Sequence, residues 1–347
     1  SRSGTPDILF FVLCLACGWE KDLMKIDVLL SAMWLEDYRY IDRLHITGNC
    51  VVINQCDRER EQRLTENGRE ICYVETRERG LSKSRNMAME YSDADICILC
   101  DNDVQYVEGY EDIIAGSFAK HAEADVIVFF VKGEAKPRPY YRSEQYLNYV
   151  TVLKVGSPEI AFRRRSLENF HFHELFGAGS VFSSGEENLL LYECLKRGLK
   201  ILYLPLHIAD LLPSESTWFQ GYTEKLFRDK GACYAAMAGK CAGLLRWQFL
   251  LRKHRQYKDR VSLWRAAACM REGQRLYRRK CRIFLVGDFT SGTGPARVTE
   301  TLLHHLPKDT LYLKHRKKLL RALEIFIKTR RAVITLCSGF SAQNLFA

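Results

Sequence analysis

The sequence predicts an α/β fold organised around a parallel sheet. Apolar runs of strand length at residues 25–31, 50–54 and 70–74 alternate with helical patterns such as the one at 35–44. A further apolar run at 94–100 ends in acidic residues, as expected where a buried strand reaches the edge of a sheet. This alternation favours parallel pairing through right-handed crossovers. The 347 residues suffice for one large domain or two ordinary ones.

The composition narrows the choice of compartment and partners. A net charge of +10 favours anionic partners, either nucleotide diphosphates or an anionic membrane surface. The 13 cysteines are scattered, many of them within apolar runs, which is typical of reduced thiols in a cytosolic protein. An apolar run at residues 8–19 is too short to span a bilayer. We therefore expect residues 1–23 to be an N-terminal extension of a cytoplasmic protein.

The most informative stretch is residues 78–103. Ser82 is expected to cap a short helix, and the strand that follows ends at Asp101, Asn102 and Asp103. Ligands of open α/β sheets bind at the carboxyl ends of the strands. Two carboxylates one residue apart at such an edge can share Mg²⁺ or Mn²⁺ with a diphosphate. The alternative is a polar turn that merely ends a strand.

The order Gly80, Ser82, Arg85, Asn86 and then Asp-x-Asp resembles the signature of family-two glycosyltransferases. The resemblance covers roughly residues 25–235 and implies the GT-A fold, an α/β domain that binds a nucleotide-diphosphate sugar. We therefore expect a GT-A domain at residues 24–235.

The resemblance also implies roles for residues of this stretch. Gly80, Ser82, Arg85 and Asp101 are expected to contact the nucleotide, and Asp101 and Asp103 to hold the Mn²⁺ or Mg²⁺ cofactor. The alternative for Arg85 is an exposed helical position beside Glu90 or Asp93.

Three polar residues at the ends of the first two strands are candidates for contacts with the base and ribose. These are Ser31 on the first strand, and Asn54 and Asp57 on the second. The sequence here differs from the family, whose second strand usually ends in a loop with two acidic residues.

Glu186 and Glu187 begin a helical pattern that stops at Gly198. Acids in a first turn interact favourably with the helix dipole, which is the structural explanation for both. Gly-Glu-Glu-Asn resembles the Gly-Glu-Asp motif of the family, which implies that Glu187 is the general base, supported by Glu186. Family resemblance also makes His207 a candidate third metal ligand, although a lone histidine is more often structural.

Residues 236–280 form a basic segment with a helical pattern, two tryptophans and several leucines. This composition suits the headgroup region of an anionic membrane, so we expect a peripheral contact at the inner face of the membrane. The alternatives are a solvated helical connector and a nucleic-acid-binding segment. We expect the membrane contact and no nucleic acid as partner.

Residues 281–347 show a β-α-β-α-β pattern that predicts a small, incomplete Rossmann-like unit. Gly292 and Gly294 lack a third glycine because Arg297 occupies its place, so a dinucleotide fingerprint is not supported. The opening of this segment resembles family-four glycosyltransferases of the GT-B fold. It is too short for that two-domain enzyme, and we expect no activity of its own.

Together these features predict an inverting, metal-dependent glycosyltransferase. It would move a sugar from a nucleotide-diphosphate donor, such as a UDP-sugar, to a saccharide or polyprenyl-linked acceptor in surface polysaccharide synthesis. One rival is a sugar-phosphate nucleotidyltransferase, which needs a Gly-rich basic loop that is missing after the first strand. Another is a non-catalytic scaffold that binds carbohydrate or nucleotide.

Overall fold

The structure is a computed structural model that describes residues 24–134, 136–212 and 221–280. Three short strands beyond residue 280 are described by their backbone. The chain divides into two compact units. The first comprises residues 1–174 and 190–215, and the second comprises residues 175–189 and 216–347.

The first unit is a mixed α/β layer structure around one large sheet. Its strands are β1 (Ile26–Met33), β2 (Asn49–Gln55), β3 (Arg60–Glu66), β4 (Arg69–Thr76), β5 (Ile96–Asp101), β6 (Val104–Tyr106), β7 (Val126–Lys132), β8 (Gln145–Tyr146), β9 (Ile160–Arg163) and β10 (Ile201–Leu211). Its helices are α1 (Tyr40–Arg43), α2 (Leu81–Tyr91), α3 (Tyr110–Lys120) and most of α4 (Glu186–Lys196).

The sheet has the strand order β3-β4-β2-β1-β5-β9-β7-β10-β6, with β8 paired to β10. The four strands predicted first, β4-β2-β1-β5, are parallel to one another, which confirms the predicted parallel pairing. Apolar side chains of these strands, such as Val28, Val52 and Ile98, are fully buried and form the core. Burial on both faces explains why their sequences are continuous apolar runs rather than alternating ones.

The remainder of the sheet is not parallel. Strand β9 lies between β5 and β7 and is antiparallel to both, so the sheet is mixed rather than parallel throughout. At the other edge, β3 forms an antiparallel hairpin with β4 through Asn67 and Gly68, both with positive φ. Strand β3 was not predicted because its exposed edge sequence is polar and contains no apolar run. The Asn-Gly pair that follows it is nevertheless a strong hairpin signal.

The second unit contains three packed helices, α5 (Glu224–Ala238), α6 (Ala242–Tyr257) and α7 (Leu263–Lys280). A Cβ on Gly231 of α5 would lie 2.1 Å from the carbonyl oxygen of Met270, and one on Gly273 of α7 would lie 1.8 Å from that of Arg228. Helices α5 and α7 therefore cross with their backbones in contact, which only glycine permits at these two positions. Throughout the described residues, no helix has both the length and the hydropathy needed to cross a bilayer.

Three short strands follow in the second unit, β11 (Ile283–Val286), β12 (Leu311–Leu313) and β13 (Val333–Leu336). They are parallel in the order β12-β11-β13. They coincide with the three strands predicted for residues 281–347. The predicted helices between them lie outside the described residues, so the Rossmann-like unit stays a prediction. The predicted domain boundary at residue 235 falls inside α5, and the predicted domain ranges also stay predictions.

Candidate active site

The Asp-x-Asp motif lies at the carboxyl edge of the parallel strands, as the sequence predicts. Asp101 is the last residue of β5, and the register pairs it with Ser31 of the neighbouring strand β1. The Ser84 hydroxyl on α2 donates to the Ser31 hydroxyl at 2.9 Å. This bond fastens the helix to the strand end and leaves the Ser31 side chain buried.

Arg85 and Asp101 form an ion pair at this edge. One Nη atom of Arg85 donates to Oδ1 of Asp101 at 2.8 Å, while Ser157 Oγ donates to Oδ2 at 3.0 Å. The Arg85 side chain is only 1% exposed, and its guanidinium carbon lies 5.5 Å from the ring centroid of Phe172. The alternative of an exposed Arg85 beside Glu90 or Asp93 is therefore wrong. The carboxylate keeps a partly exposed surface, so the pair presents an ordered anion at the sheet edge.

Helix α2 begins two residues earlier than a Ser82 cap would require. Gly80 occupies the N-cap position with φ of 117°, and no side chain caps the helix. The Gly80 N–H donates instead to Oε1 of Gln55 at 2.8 Å. Only glycine adopts this φ without strain, which explains the first residue of the motif. Ser82 lies inside the first turn and is fully buried, so the structure places it in the packing of the helix.

Asn86, next to Arg85, holds the segment that carries Phe172. Its amide nitrogen donates to the Phe172 carbonyl at 3.0 Å, and its Oδ1 accepts from the Phe172 N–H at 2.7 Å. This reciprocal pair holds the aromatic ring against Arg85. The Arg85-Asn86 dipeptide therefore supplies the guanidinium and also holds Phe172, one of the residues that surround it.

The turn that delivers Ser157 to Asp101 is itself anchored by a buried ion pair. Glu159 accepts from the Gly156 N–H at 2.7 Å through one oxygen and from Lys136 Nζ at 2.6 Å through the other. Burial raises the pKa of Glu159 and lowers that of Lys136, and their mutual attraction opposes both shifts. A fully hydrogen-bonded buried pair of this kind holds the intervening turn in one conformation.

Asn54 lies inside the fold, so the structure gives its predicted contact with the nucleotide no support. It is completely buried, its amide nitrogen donates to the Leu35 carbonyl and the Tyr73 hydroxyl, and its Oδ1 accepts from the Leu35 N–H. All of its hydrogen-bonding groups are therefore used inside the fold. Asp57 is exposed and pairs with Arg79 at 2.8 Å.

Trp34 was not singled out from the sequence, yet it lies at the same edge, directly after β1. Its indole is 58% exposed, and the guanidinium carbon of Arg79 lies 5.1 Å from its ring centroid. Its φ of 57° is unusual for a large side chain. Arg79 thus connects the exposed indole to Asp57 at the end of the second strand.

The metal prediction fits only in part. Within residues 24–134, 136–212 and 221–280, no three His, Cys, Asp or Glu side chains lie close enough together to hold a metal ion. Asp103 is half-buried at the strand end beside the ordered Asp101. Magnesium bound with a diphosphate needs only one or two carboxylates. The two acids therefore fit a cation shared with phosphates and not a complete protein cage.

His207 lies away from these acids, so the structure gives its predicted role as a third ligand no support. The Leu212 N–H donates to the Asp103 carbonyl at 2.7 Å, and His207 lies five residues earlier on β10. At strand spacing this is about 15 Å away. His207 Nε2 lies instead 3.3 Å from Oδ1 of Asp210.

Glu186 and Glu187 begin helix α4, as predicted, and Gly198 follows its last turn with φ of 81°. Glu186 is buried and Glu187 is half-buried. Gly185, just before them, has φ of 103°, and a Cβ there would lie 2.6 Å from Cys233 Sγ on α5. Glycine is therefore required at this position for two reasons. Burial raises the pKa of Cys233 to about 12, so this thiol packs as a neutral group.

Asp229 on α5 fastens the same loop and was not found from the sequence. It is buried, and its Oδ2 accepts from the Ser183 hydroxyl at 2.6 Å, the Ser183 N–H at 3.1 Å and Lys225 Nζ at 2.7 Å. Asp229 and Lys225 lie four residues apart on one helical face, a spacing that signals an ion pair. The sequence holds no signal that joins them to Ser183, 46 residues away.

Comparisons with known proteins agree with this architecture. Residues 48–184 match the model of glycosyl transferase family 2, a segment that includes the Arg85–Asp101 pair. The fold and this match define the chain as a glycosyltransferase. The resemblance of residues 281–347 to family-four glycosyltransferases stays a prediction. None of the curated protein sequences matches the chain.

Solved structures of S. aureus TarS have a similar fold. The crystal structure of TarS residues 1–349 in complex with UDP-GlcNAc has 14% sequence identity and a TM-score of 0.50, over 78% of this chain and 95% of that chain. The same piece in complex with UDP has 15% identity and a TM-score of 0.49, over 69% and 76% of the two chains. At this identity the likeness concerns the fold alone.

Proposed function

We propose that this glycosyltransferase transfers a sugar, with inversion, from a nucleotide-diphosphate donor to a hydroxyl of a saccharide or polyprenyl-linked acceptor. The observation that carries the proposal is the Arg85–Asp101–Ser157 cluster at the carboxyl edge of parallel strands. This is the edge at which α/β sheets bind nucleotides. The UDP and UDP-GlcNAc bound to TarS in its structures support a UDP-sugar as donor.

In this proposal the donor nucleotide binds beside Asp101. The carboxylate, held by Arg85 and Ser157, accepts hydrogen bonds from ribose hydroxyls, and the Trp34 indole offers a face on which the base stacks. Asp103 and Asp101 would hold Mn²⁺ or Mg²⁺ together with the diphosphate. When bound, such a cation neutralises charge on the departing nucleotide diphosphate.

Glu187 is the proposed general base. The acceptor hydroxyl gives its proton to the Glu187 carboxylate as its oxygen forms a bond to the anomeric carbon. The bond from that carbon to the diphosphate oxygen breaks on the opposite face, and its electron pair leaves with the nucleotide. Glu187 is favoured over Glu186 because its side chain is the more accessible of the two.

The proposed pathway is the assembly of a surface polysaccharide. A polyprenyl-linked acceptor would be presented at the inner face of the membrane, and the basic second unit suits a peripheral position there.

The test is a panel of nucleotide sugars incubated with the protein and either Mn²⁺ or Mg²⁺, with release of free nucleotide as the readout. We expect release from at least one UDP-sugar and loss of release on chelation. Asp103→Ala should abolish release, whereas Asp112→Ala, an exposed acid on α3, should not. Glu187→Gln should slow transfer by about 10²- to 10⁴-fold and keep UDP binding in calorimetry.

The opposite results point to the alternatives. Nucleotide binding with no turnover of any donor would favour a non-catalytic scaffold. Formation of nucleotide sugar from a sugar phosphate and a nucleoside triphosphate would favour a nucleotidyltransferase.

A further inference from the structure

The second unit carries an exposed apolar surface on helices α6 and α7. Leu244, Leu251 and Trp264 are 75%, 66% and 71% exposed, the highest values among the large apolar side chains of the described residues. A monomeric protein seldom exposes several large apolar side chains together without a partner. We call the surface formed by Leu244, Trp247, Leu251 and Trp264, together with the basic residues named below, the tryptophan–basic face.

These residues form one continuous surface. Leu244, Trp247 and Leu251 are spaced by three and four residues, which places them on one side of α6. The ring of Trp247 meets that of Trp264 edge-on with centroids 6.2 Å apart, which joins the exposed sides of the two helices. The opposite side of α6 is already packed, because Phe249, Leu250 and Tyr257 are buried. The exposed residues therefore do not contribute to the core of the second unit.

Basic side chains continue the same side of α6. Arg255 follows Leu251 by four residues and Lys258 by seven, so both lie on the side that carries the leucines, with Arg252 adjacent. All three are exposed, and no carboxylate within the described residues forms an ion pair with them. Residues 242–280 contain twelve lysines and arginines and only two acids. The face is therefore both apolar and strongly cationic.

We propose that the tryptophan–basic face docks on the surface of an anionic lipid bilayer. Leucine and tryptophan enter the boundary between headgroups and acyl chains, while arginine and lysine contact anionic headgroups. A second copy of the chain fits less well, because a symmetric contact would bring the same cationic side chains against one another. Nucleic acid fits less well because exposed leucines have no role against a phosphate backbone. The proposal deepens the membrane contact in the proposed function, yet it rests on this surface and not on the donor chemistry.

The test is sedimentation of the full chain with vesicles of neutral phosphatidylcholine, with or without phosphatidylglycerol. We expect binding to the anionic vesicles, little binding to the neutral ones, and weaker binding as salt is raised. The Leu244→Glu/Leu251→Glu double variant should lose at least about tenfold in vesicle affinity, because it puts charge at the centre of the face. Arg252→Glu/Arg255→Glu should lose a similar factor on anionic vesicles only.

Two controls separate docking from general damage. Val150→Glu changes a side chain of the first unit that is 62% exposed and should leave vesicle binding intact. Release of nucleotide from a soluble donor should be unchanged in the leucine variants, so failure of docking is distinguishable from failure of the proposed chemistry.

Three outcomes would overturn the proposal. Equal binding to neutral and anionic vesicles would remove the role of the basic residues. Unaltered binding of the leucine variants would remove the role of the apolar ones. A dimer in light scattering that dissociates in Leu244→Glu/Leu251→Glu, without vesicle binding by the unmodified chain, would assign the face to a second copy.

Discussion

The two candidate regions are held in place by contacts of different range. At the donor edge, defined by Arg85, Asp101 and Ser157, the central ion pair joins residues only 16 positions apart. In the acid loop, defined by residues 183–187, Ser183 is held by Asp229 and Gly185 by Cys233, at separations of 46 and 48 residues. The ion pair of the donor edge thus lies within one short motif, to which Ser157 is added from 56 residues away. The acid loop has no such local pair and depends on helix α5, which comes later in the chain.

This difference determines how each region should respond to substitution. The donor edge contains a buried cation opposite a carboxylate, so removal of one partner leaves an uncompensated charge. The acid loop relies on a glycine conformation and on a carboxylate that accepts three hydrogen bonds. A substitution in the acid loop should therefore shift the positions of Glu186 and Glu187 without changing their charge.

The largest effect is expected from Arg85→Ala. It removes the buried guanidinium and leaves Asp101 without its charged partner, a change that costs about 3–5 kcal/mol for a buried pair and less where the carboxylate is partly exposed. We expect nucleotide release to fall by at least about 10²-fold and the melting temperature to drop. Arg85→Lys should recover stability in part, since lysine keeps the charge without the planar donor geometry. Arg60→Ala, on the exposed edge strand, is the control, and full activity in Arg85→Ala would contradict the role of the pair.

The next effect is expected from Gly185→Ala. The substitution strains a backbone with φ of 103° and places a Cβ 2.6 Å from Cys233 Sγ, which costs about 1–3 kcal/mol for the conformation alone. We expect transfer to fall by about 10- to 10²-fold with UDP affinity unchanged in calorimetry. The additional change Cys233→Ala should recover part of the loss, because the sulfur is removed while the backbone strain remains. Gly198→Ala isolates the strain, since a Cβ there meets nothing within 4 Å.

A smaller effect is expected from Asp229→Ala. It removes the acceptor of two bonds from Ser183 and one from Lys225, and hydrogen bonds to charged groups contribute about 1.5–3 kcal/mol each. We expect several-fold slower transfer, unchanged UDP affinity and easier proteolysis of the loop. Asp259→Ala, at an exposed position of the same unit, should change none of these readouts. A parallel loss of UDP affinity in Asp229→Ala would show that the two regions do not respond separately.

The smallest effect concerns Asp27, which belongs to neither region. It lies on β1 four residues before Ser31, and burial raises its pKa above the ordinary 3.8. The folded chain therefore keeps this proton to a higher pH than the unfolded chain does, so the free energy of unfolding falls as pH rises through that interval.

Asp27→Asn lacks this dependence. We expect it to be more stable than the unmodified chain at pH 7, with the difference shrinking towards pH 4, in urea titrations at both pH values. Nucleotide release should not change, because Ser92 can donate to the amide oxygen as it does to the carboxylate. A variant less stable at pH 7 would contradict the assignment of burial as the cause.

Predictions from the sequence were correct where a local residue pattern depends on the immediate environment of those same residues. The continuous apolar runs of β1, β2, β4 and β5 predicted parallel neighbours, because strands buried on both faces need apolar residues at every position. Gly198 marked the end of α4 because only glycine adopts its φ freely. The Asp-x-Asp acids lie at the carboxyl edge because a strand that ends in acids must end at solvent.

The structure gives no support to predictions that depended on knowing which distant segments meet. Asn54 has the residue type and strand position of a ligand contact, yet the fold uses all of its hydrogen bonds internally. His207 lies on the expected strand but several residues away from the acids along it. Ser157 reaches Asp101 because β9 pairs antiparallel between β5 and β7, a placement that no local pattern encodes.

The sequence by itself determined the parallel core, the acidic strand end and the glycosyltransferase signature around Arg85, because each depends on residues close together in the chain. Only the tertiary structure decided that Asp101 is paired with Arg85 and Ser157, and that Asp229 and Cys233 hold the loop before Glu186 and Glu187. Hydrogen bonds and close approaches between distant segments depend on how the strands and helices pack, and periodicity along the chain carries no record of that packing.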